Sequence, residues 1–125
     1  MLDRIKTILK TILIIEDERV IADILSTVLE DEGYEVHVAD NGKEGLASLQ
    51  SIHPDLVLCD LMMPVADGRA VGYAMSTDPA YKSIPLIFMS AGGSPPNDPN
   101  IHYADFLRKP FDLSQLISLV ERWVA

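Results

Sequence analysis

Hydrophobic and polar positions along the chain switch repeatedly between a short-run pattern and a helical one, and the switching predicts strands alternating with helices. Thr11 to Ile15 reads as a buried strand. From about Glu18 to Glu32 the apolar residues Val20, Ile21, Ile24, Leu25, Val28 and Leu29 recur at helical spacing on one face. Gly33 stands where a helix needs a left-handed residue to stop. Glu35 to Ala39 alternates as a second strand, Asn41 caps a helix through about Ser51, and Leu56 to Cys59 is the unbroken apolar run of a strand buried on both faces. Pro64 and Gly68 shape a loop ahead of a helix from about Asp67 to Ser76. Leu86 to Met89 and Ala104 to Leu107 complete five strands, and Leu113 to Val124 forms a last helix with Asp112 as its N-cap. Such alternation predicts βα units joined by right-handed crossovers, an α/β three-layer sandwich with helices on both faces of a parallel sheet.

A chain of 125 residues, 48% hydrophobic, is long enough for one domain with a true core and leaves no room for a second. That domain is expected over residues 11–125. Residues 1–10 form an N-terminal extension in which Leu2, Ile5, Ile8 and Leu9 repeat at helical spacing, as in a short amphipathic helix. No apolar run approaches the roughly 18 residues of a membrane span, and four apolar residues after Lys10 cannot make a signal-peptide core. A cytoplasmic location without membrane contact is therefore expected. The net charge of −9 argues against direct nucleic-acid binding, which needs clustered Lys and Arg. The single cysteine, Cys59, excludes an internal disulfide and fits a reducing compartment. His37, His53 and His102 lack the spacing of a zinc site.

The chemistry gathers at strand ends. Glu16 and Asp17 follow the first strand, Asp60 the third, Ser90 ends the fourth, and Lys109 follows the fifth. In an open parallel sheet, ligands bind beyond the carboxyl ends of the strands where strand order reverses, so these tips share one crevice. Three acids, a hydroxyl and an ammonium around a small polar site point to Mg²⁺ and a phosphoryl group. Packing three carboxylates together is costly without a cation, because each raises its neighbours' affinity for protons.

These motifs, in this order, resemble the receiver domain of bacterial two-component response regulators of the single-domain, chemotaxis type. They are the acidic pair Glu16-Asp17, the run Asp-Leu-Met-Met-Pro-Val-Ala-Asp-Gly at Asp60 to Gly68, Ser90-Ala91, and Lys109-Pro110. The resemblance extends from about Thr11 to the C-terminus and implies a flavodoxin-like (βα)5 fold with strand order 2-1-3-4-5. It implies that Asp60 is the phosphoacceptor, a carboxylate nucleophile that yields a reactive acyl phosphate. By the same resemblance Glu16, Asp17 and Asp60, with the backbone carbonyl of Met62, hold Mg²⁺. Ser90 would donate a hydrogen bond to a phosphoryl oxygen, and Lys109 would pair first with Asp60 and then with the phosphoryl group. Phe106 falls at the family's switch-aromatic position, paired in that role with Ser90, and Pro110 at the position of its cis peptide.

Two departures stand out. Where the family carries a helix between its fourth and fifth strands, this chain runs Gly92-Gly93-Ser94-Pro95-Pro96-Asn97-Asp98-Pro99-Asn100. Interior Pro costs a helix about 3 kcal/mol, so that helix should be shortened or replaced by a loop with little apolar surface to bury. The other departure is the extension at residues 1–10. The resemblance implies a phosphoacceptor that assists its own phosphorylation rather than an enzyme in the ordinary sense. Its partners would be a histidine kinase or phosphotransfer protein, a downstream protein target, and a second copy in a homodimer. The alternatives are a pseudo-receiver that keeps the fold without phosphorylation, and a haloacid-dehalogenase-like phosphatase. The latter family needs an Asp where Met62 stands.

Overall fold

A strand with a near-continuous apolar run must be covered on both faces, and Thr11–Ile15, Leu56–Asp60 and Leu86–Ser90 are three such strands at the centre of one sheet, flanked by the more polar Glu35–Ala39 and Asp105–Arg108. The computed structural model describes residues 9–124; the predicted helix at residues 1–10 lies outside them except for Leu9 and Lys10. In chain order the elements are β1 (Thr11–Ile15), α1 (Arg19–Asp31), β2 (Glu35–Ala39), α2 (Gly42–Ile52), β3 (Leu56–Asp60), α3 (Gly68–Thr77), β4 (Leu86–Ser90), β5 (Asp105–Arg108) and α4 (Leu113–Val124). The strands form one parallel sheet in the order β2-β1-β3-β4-β5. This is the flavodoxin-like order, and the order in which strands are added to the sheet reverses between β1 and β3. No helix among the described residues is long and apolar enough to cross a membrane.

Successive side chains of a strand point to opposite faces, so each strand feeds two cores. Ile12, Ile14, Leu56, Leu58, Ile87 and Met89 pack under α1 and α4 through Leu25, Leu29, Leu116 and Val120. Leu13, Ile15, Val57, Cys59, Leu86 and Phe88 pack under α2 and α3 through Leu49, Val71 and Met75. The predicted stop at Gly33 and cap at Asn41 are present and Asp67 caps α3, whereas the predicted cap at Asp112 makes no side-chain bond to the start of α4. Gly33 has φ +97°, Asn41 accepts the Glu44 N–H at 2.9 Å, and Asp67 accepts from Arg69 at 3.0 Å. At α4 the Gln115 side chain accepts the Asp112 N–H at 3.0 Å, so the helix entry is closed from its third residue.

Two further expectations need correction. The apolar stripe of α1 is narrower than its sequence spacing implied, because Val20 and Ile24 are 71% and 49% exposed while Ala22, Leu25 and Leu29 carry the packing. No helix joins β4 to β5, as the prolines required, yet residues 91–103 do bury apolar surface. Pro96 and Ile101 are buried, and Tyr103 packs against Phe88 with ring centroids 5.4 Å apart. Burying an Ile side chain is worth about 1.5–3 kcal/mol, enough to dock a segment that has no regular hydrogen bonding of its own. Ile101 reaches the sheet because α3 offers Gly72 at that point, where a Cβ would come within 2.8 Å of Ile101 Cγ2.

Gly68 fixes the loop after β3. A Cβ there would meet the Asp60 carbonyl oxygen and the Leu61 Cα, both at 2.7 Å, and these are backbone atoms that cannot rotate away. Gly68→Ala is expected to lower stability by about 1–3 kcal/mol, the cost of overpacking a tight site. Urea denaturation measures it, and an unchanged midpoint would show that the loop moves freely.

Candidate functional site

Backbone hydrogen bonds continue the sheet ladder one residue past the ends of β1, β3 and β5. The Glu16 N–H donates to the Ala39 carbonyl at 3.1 Å, Leu61 to Met89 at 2.8 Å, and Lys109 to Ser90 at 2.8 Å. Ile15 pairs with Cys59 across β1 and β3, which sets Glu16 beside Asp60 at the point where strand order reverses. Carboxylate oxygens of Glu16, Asp17 and Asp60 lie within 4.8 Å of one another. Glu16 is 1% and Asp60 5% exposed, whereas Asp17 is open to solvent.

Lys109 bridges the two buried acids. Its Nζ lies 2.9 Å from Glu16 Oε1 and 3.4 Å from Asp60 Oδ2, so the closer pairing is with Glu16 rather than with the expected Asp60. The other oxygens are also engaged: Asp60 Oδ1 accepts the Met62 N–H at 3.3 Å and Glu16 Oε2 accepts the Glu18 N–H at 3.2 Å. Burial pushes the Glu16 carboxyl up to about 7, against the pull of the Lys109 hydrogen bond, and the neighbouring Asp60 charge adds to the rise. Burial pulls Lys109 down, but the hydrogen bond to Glu16 and the charges of Glu16 and Asp60 outweigh it, so its ammonium titrates above the usual range. One cation faces three carboxylates, which leaves the crevice with a deficit of positive charge.

Of the residues singled out in the sequence, Glu16, Asp17, Asp60 and Lys109 come together. Met62 adjoins them through its backbone, with its side chain exposed. Ser90 ends β4 fully buried, but its hydroxyl is turned onto Gly92, donating to the carbonyl at 2.7 Å. Phe106 lies on the face that α2 and α3 cover, part-buried against that core. Cys59 points to the same core, where burial pushes its thiol well above the usual range and keeps it inert. The Lys109–Pro110 peptide is cis. Arg108 escaped the sequence reading; it shares the face of Phe106 two residues earlier, a relation that strand alternation could have revealed.

A model of the response regulator receiver domain matches residues 12–121. Among curated proteins, the DNA-binding dual master transcriptional regulator RpaA of Synechocystis is 35% identical over 87% of this chain and 46% of its own length. The phosphate regulon regulator PhoB of Pseudomonas aeruginosa is 32% identical over 87% of this chain and 49% of its own. The chain thus spans about half the length of these curated relatives. Among solved structures, the Vibrio cholerae chemotaxis protein CheY4 superposes with a TM-score of 0.85 at 28% identity, covering 93% of this chain and 99% of that one. The N-terminal domain of a Methanoculleus marisnigri response regulator receiver protein superposes with a TM-score of 0.74 at 36% identity, covering 94% and 98%.

The electrostatics of the crevice can be tested without any ligand. A carboxyl raised from 4.5 to about 7 lends stability that is fully present below 4.5 and lost as pH rises through 7, where Glu16 ionises. Lys109 offsets that loss only when Glu16 is charged. Lys109→Met should therefore cost about 3 kcal/mol at pH 8, as breaking a buried pair does, and far less at pH 5. Unfolding free energies in chelator-treated buffer measure this, and an equal loss at both pH values would contradict the pairing.

Proposed function

Because the chain belongs to the response regulator receiver domain family, we propose that it is a Mg²⁺-dependent phosphorylation switch in which Asp60 takes the phosphoryl group and the signal leaves through protein contacts. The observation that carries this reading is the meeting of three carboxylates within 4.8 Å, with Lys109 Nζ 3.4 Å from Asp60. A deficit of positive charge at an oxygen-only site suits a hard divalent cation that keeps some of its waters. Glu16, Asp17 and Asp60 would hold Mg²⁺, with the Met62 carbonyl as a further oxygen. When bound, Mg²⁺ supplies charge neutralisation and draws a phosphoryl oxygen toward the crevice.

In the transfer itself an Asp60 carboxylate oxygen forms the new P–O bond as the P–N bond to a donor imidazole breaks. The imidazole leaves with that electron pair. Lys109, released from Asp60 as the carboxylate becomes an acyl phosphate, turns its ammonium to the phosphoryl oxygens. Ser90 donates its hydroxyl to another of those oxygens. The donor is a histidine kinase or phosphotransfer protein, and an apolar groove of about 430 Å³ beside Lys109, lined by Ile21, Ile24, Leu25, Phe111 and Leu113, offers it a surface. That groove gives the exposed Ile24 a use. The domain is taken to be residues 11–125, acting on a downstream protein.

Phosphoramidate with Mg²⁺ should add one phosphate to the wild-type chain and none to Asp60→Asn, read by intact mass. Undiminished labelling of the variant would sink the assignment, and no labelling of the wild type would leave an interaction module with the same fold. Asp17→Ala should weaken Mg²⁺ binding at least about tenfold, since it removes a charge and a ligand oxygen. Calorimetric titration reads it, and equal affinity would mean the acidic pair only stabilises the start of α1.

A further inference from the structure

The turn leaving β4 is closed by contacts that the acidic crevice does not require. The Ser90 hydroxyl donates to the Gly92 carbonyl at 2.7 Å and accepts the Gly92 N–H at 3.3 Å. A hydroxyl has one proton, so in this arrangement none is free for a phosphoryl oxygen. Gly93 follows at φ +72°, and its carbonyl accepts a hydrogen bond from Arg108 Nη1 at 3.2 Å. Arg108 is the register partner of Ser90 across β4 and β5, so this bond clips the turn back onto the neighbouring strand. The guanidinium also lies 5.5 Å from the centre of the Phe106 ring, within cation–π range.

Resting on the reading of Asp60 as phosphoacceptor, we propose that Arg108 is a positioning residue for the switch: by clipping Gly93 and stacking on Phe106 it holds the Gly92–Gly93 turn in the form that occupies the Ser90 hydroxyl. A ligand shifts an equilibrium only by its differential affinity for the two states, and a contact made in one state alone sets the balance it must overcome. The clip is such a contact. Donation from Ser90 to a phosphoryl oxygen breaks its bond to the Gly92 carbonyl, and the turn that follows loses the geometry that presents the Gly93 carbonyl to Arg108. Neither glycine has a heavy atom within 4 Å of where a side chain would stand, so the turn has room to move. Arg108 then leaves Phe106, a residue that lines a groove with Leu107, Ser114, Gln115, Ser118 and Leu119. The clip thereby ties the state of Ser90 to what β5 and α4 present at the sheet edge.

Beryllofluoride with Mg²⁺ stands in for the phosphoryl group, and calorimetric titration of the full chain reads its affinity. Arg108→Ala should bind it about three- to tenfold more tightly than wild type, the net worth of one exposed hydrogen bond. Arg108→Lys should recover part of the difference, and the Gly92 amide should exchange faster in ligand-free Arg108→Ala than in wild type. A merely structural role would weaken binding, so equal or weaker affinity in Arg108→Ala overturns the proposal. If wild type binds beryllofluoride, Asp60→Asn does not, and Arg108→Ala matches wild type, the clip alone fails. If beryllofluoride binds neither wild type nor Arg108→Ala, the phosphoacceptor reading fails and takes this proposal with it.

Discussion

Three carboxylates share a crevice with one ammonium, and most of the architecture around them exists to keep that unfavourable grouping in place. Like charges at this range repel, and with Glu16 and Asp60 nearly inaccessible to water the repulsion is weakly screened. The chain tolerates it because the acids stand on the ends of the two central strands, whose pairing fixes Glu16 beside Asp60. Two cores of fully buried aliphatic side chains, one on each sheet face, supply the stability that the crevice spends.

That charge imbalance also explains the position of Lys109. It sits closer to Glu16, the more buried acid, than to Asp60. A divalent cation that neutralised Glu16 would free the ammonium to serve Asp60 and its phosphoryl group. On the proposed reading, resting pairing, metal binding and phosphoryl transfer compete for the same few charges. The same economy appears at Ser90, whose hydroxyl is satisfied by Gly92 at rest and must leave that partner to take part.

Much of this was legible in the sequence. Apolar runs ending in polar residues mark strand ends, so Glu16, Asp60, Ser90 and Lys109 and the motifs around them could be placed before any coordinates. Strand and helix limits followed from signals such as the cap at Asn41 and the stop at Gly33. What could not be read depended on tertiary packing. Helical spacing gives the direction of an apolar face but not its width, so Val20 and Ile24 counted with the core face although they stay exposed while Leu25, Leu29, Ile21 and Val28 pack on the sheet. Proline content correctly removed a helix between β4 and β5, yet it carries no sign that Ile101 would find Gly72 and dock the loop. The preference of Lys109 for Glu16, and the clip from Arg108 to Gly93, are matters of side-chain geometry that spacing alone does not encode.

The central claim is that the charge deficit at Glu16, Asp17 and Asp60 is met by a divalent cation bound to the native state only. Unfolding free energy as a function of Mg²⁺ concentration at pH 8 tests it directly. Binding at one native site predicts a rise that, once Mg²⁺ exceeds its dissociation constant, approaches about 1.4 kcal/mol for each tenfold increase. A stability that stays flat with Mg²⁺, at constant ionic strength, would contradict the account.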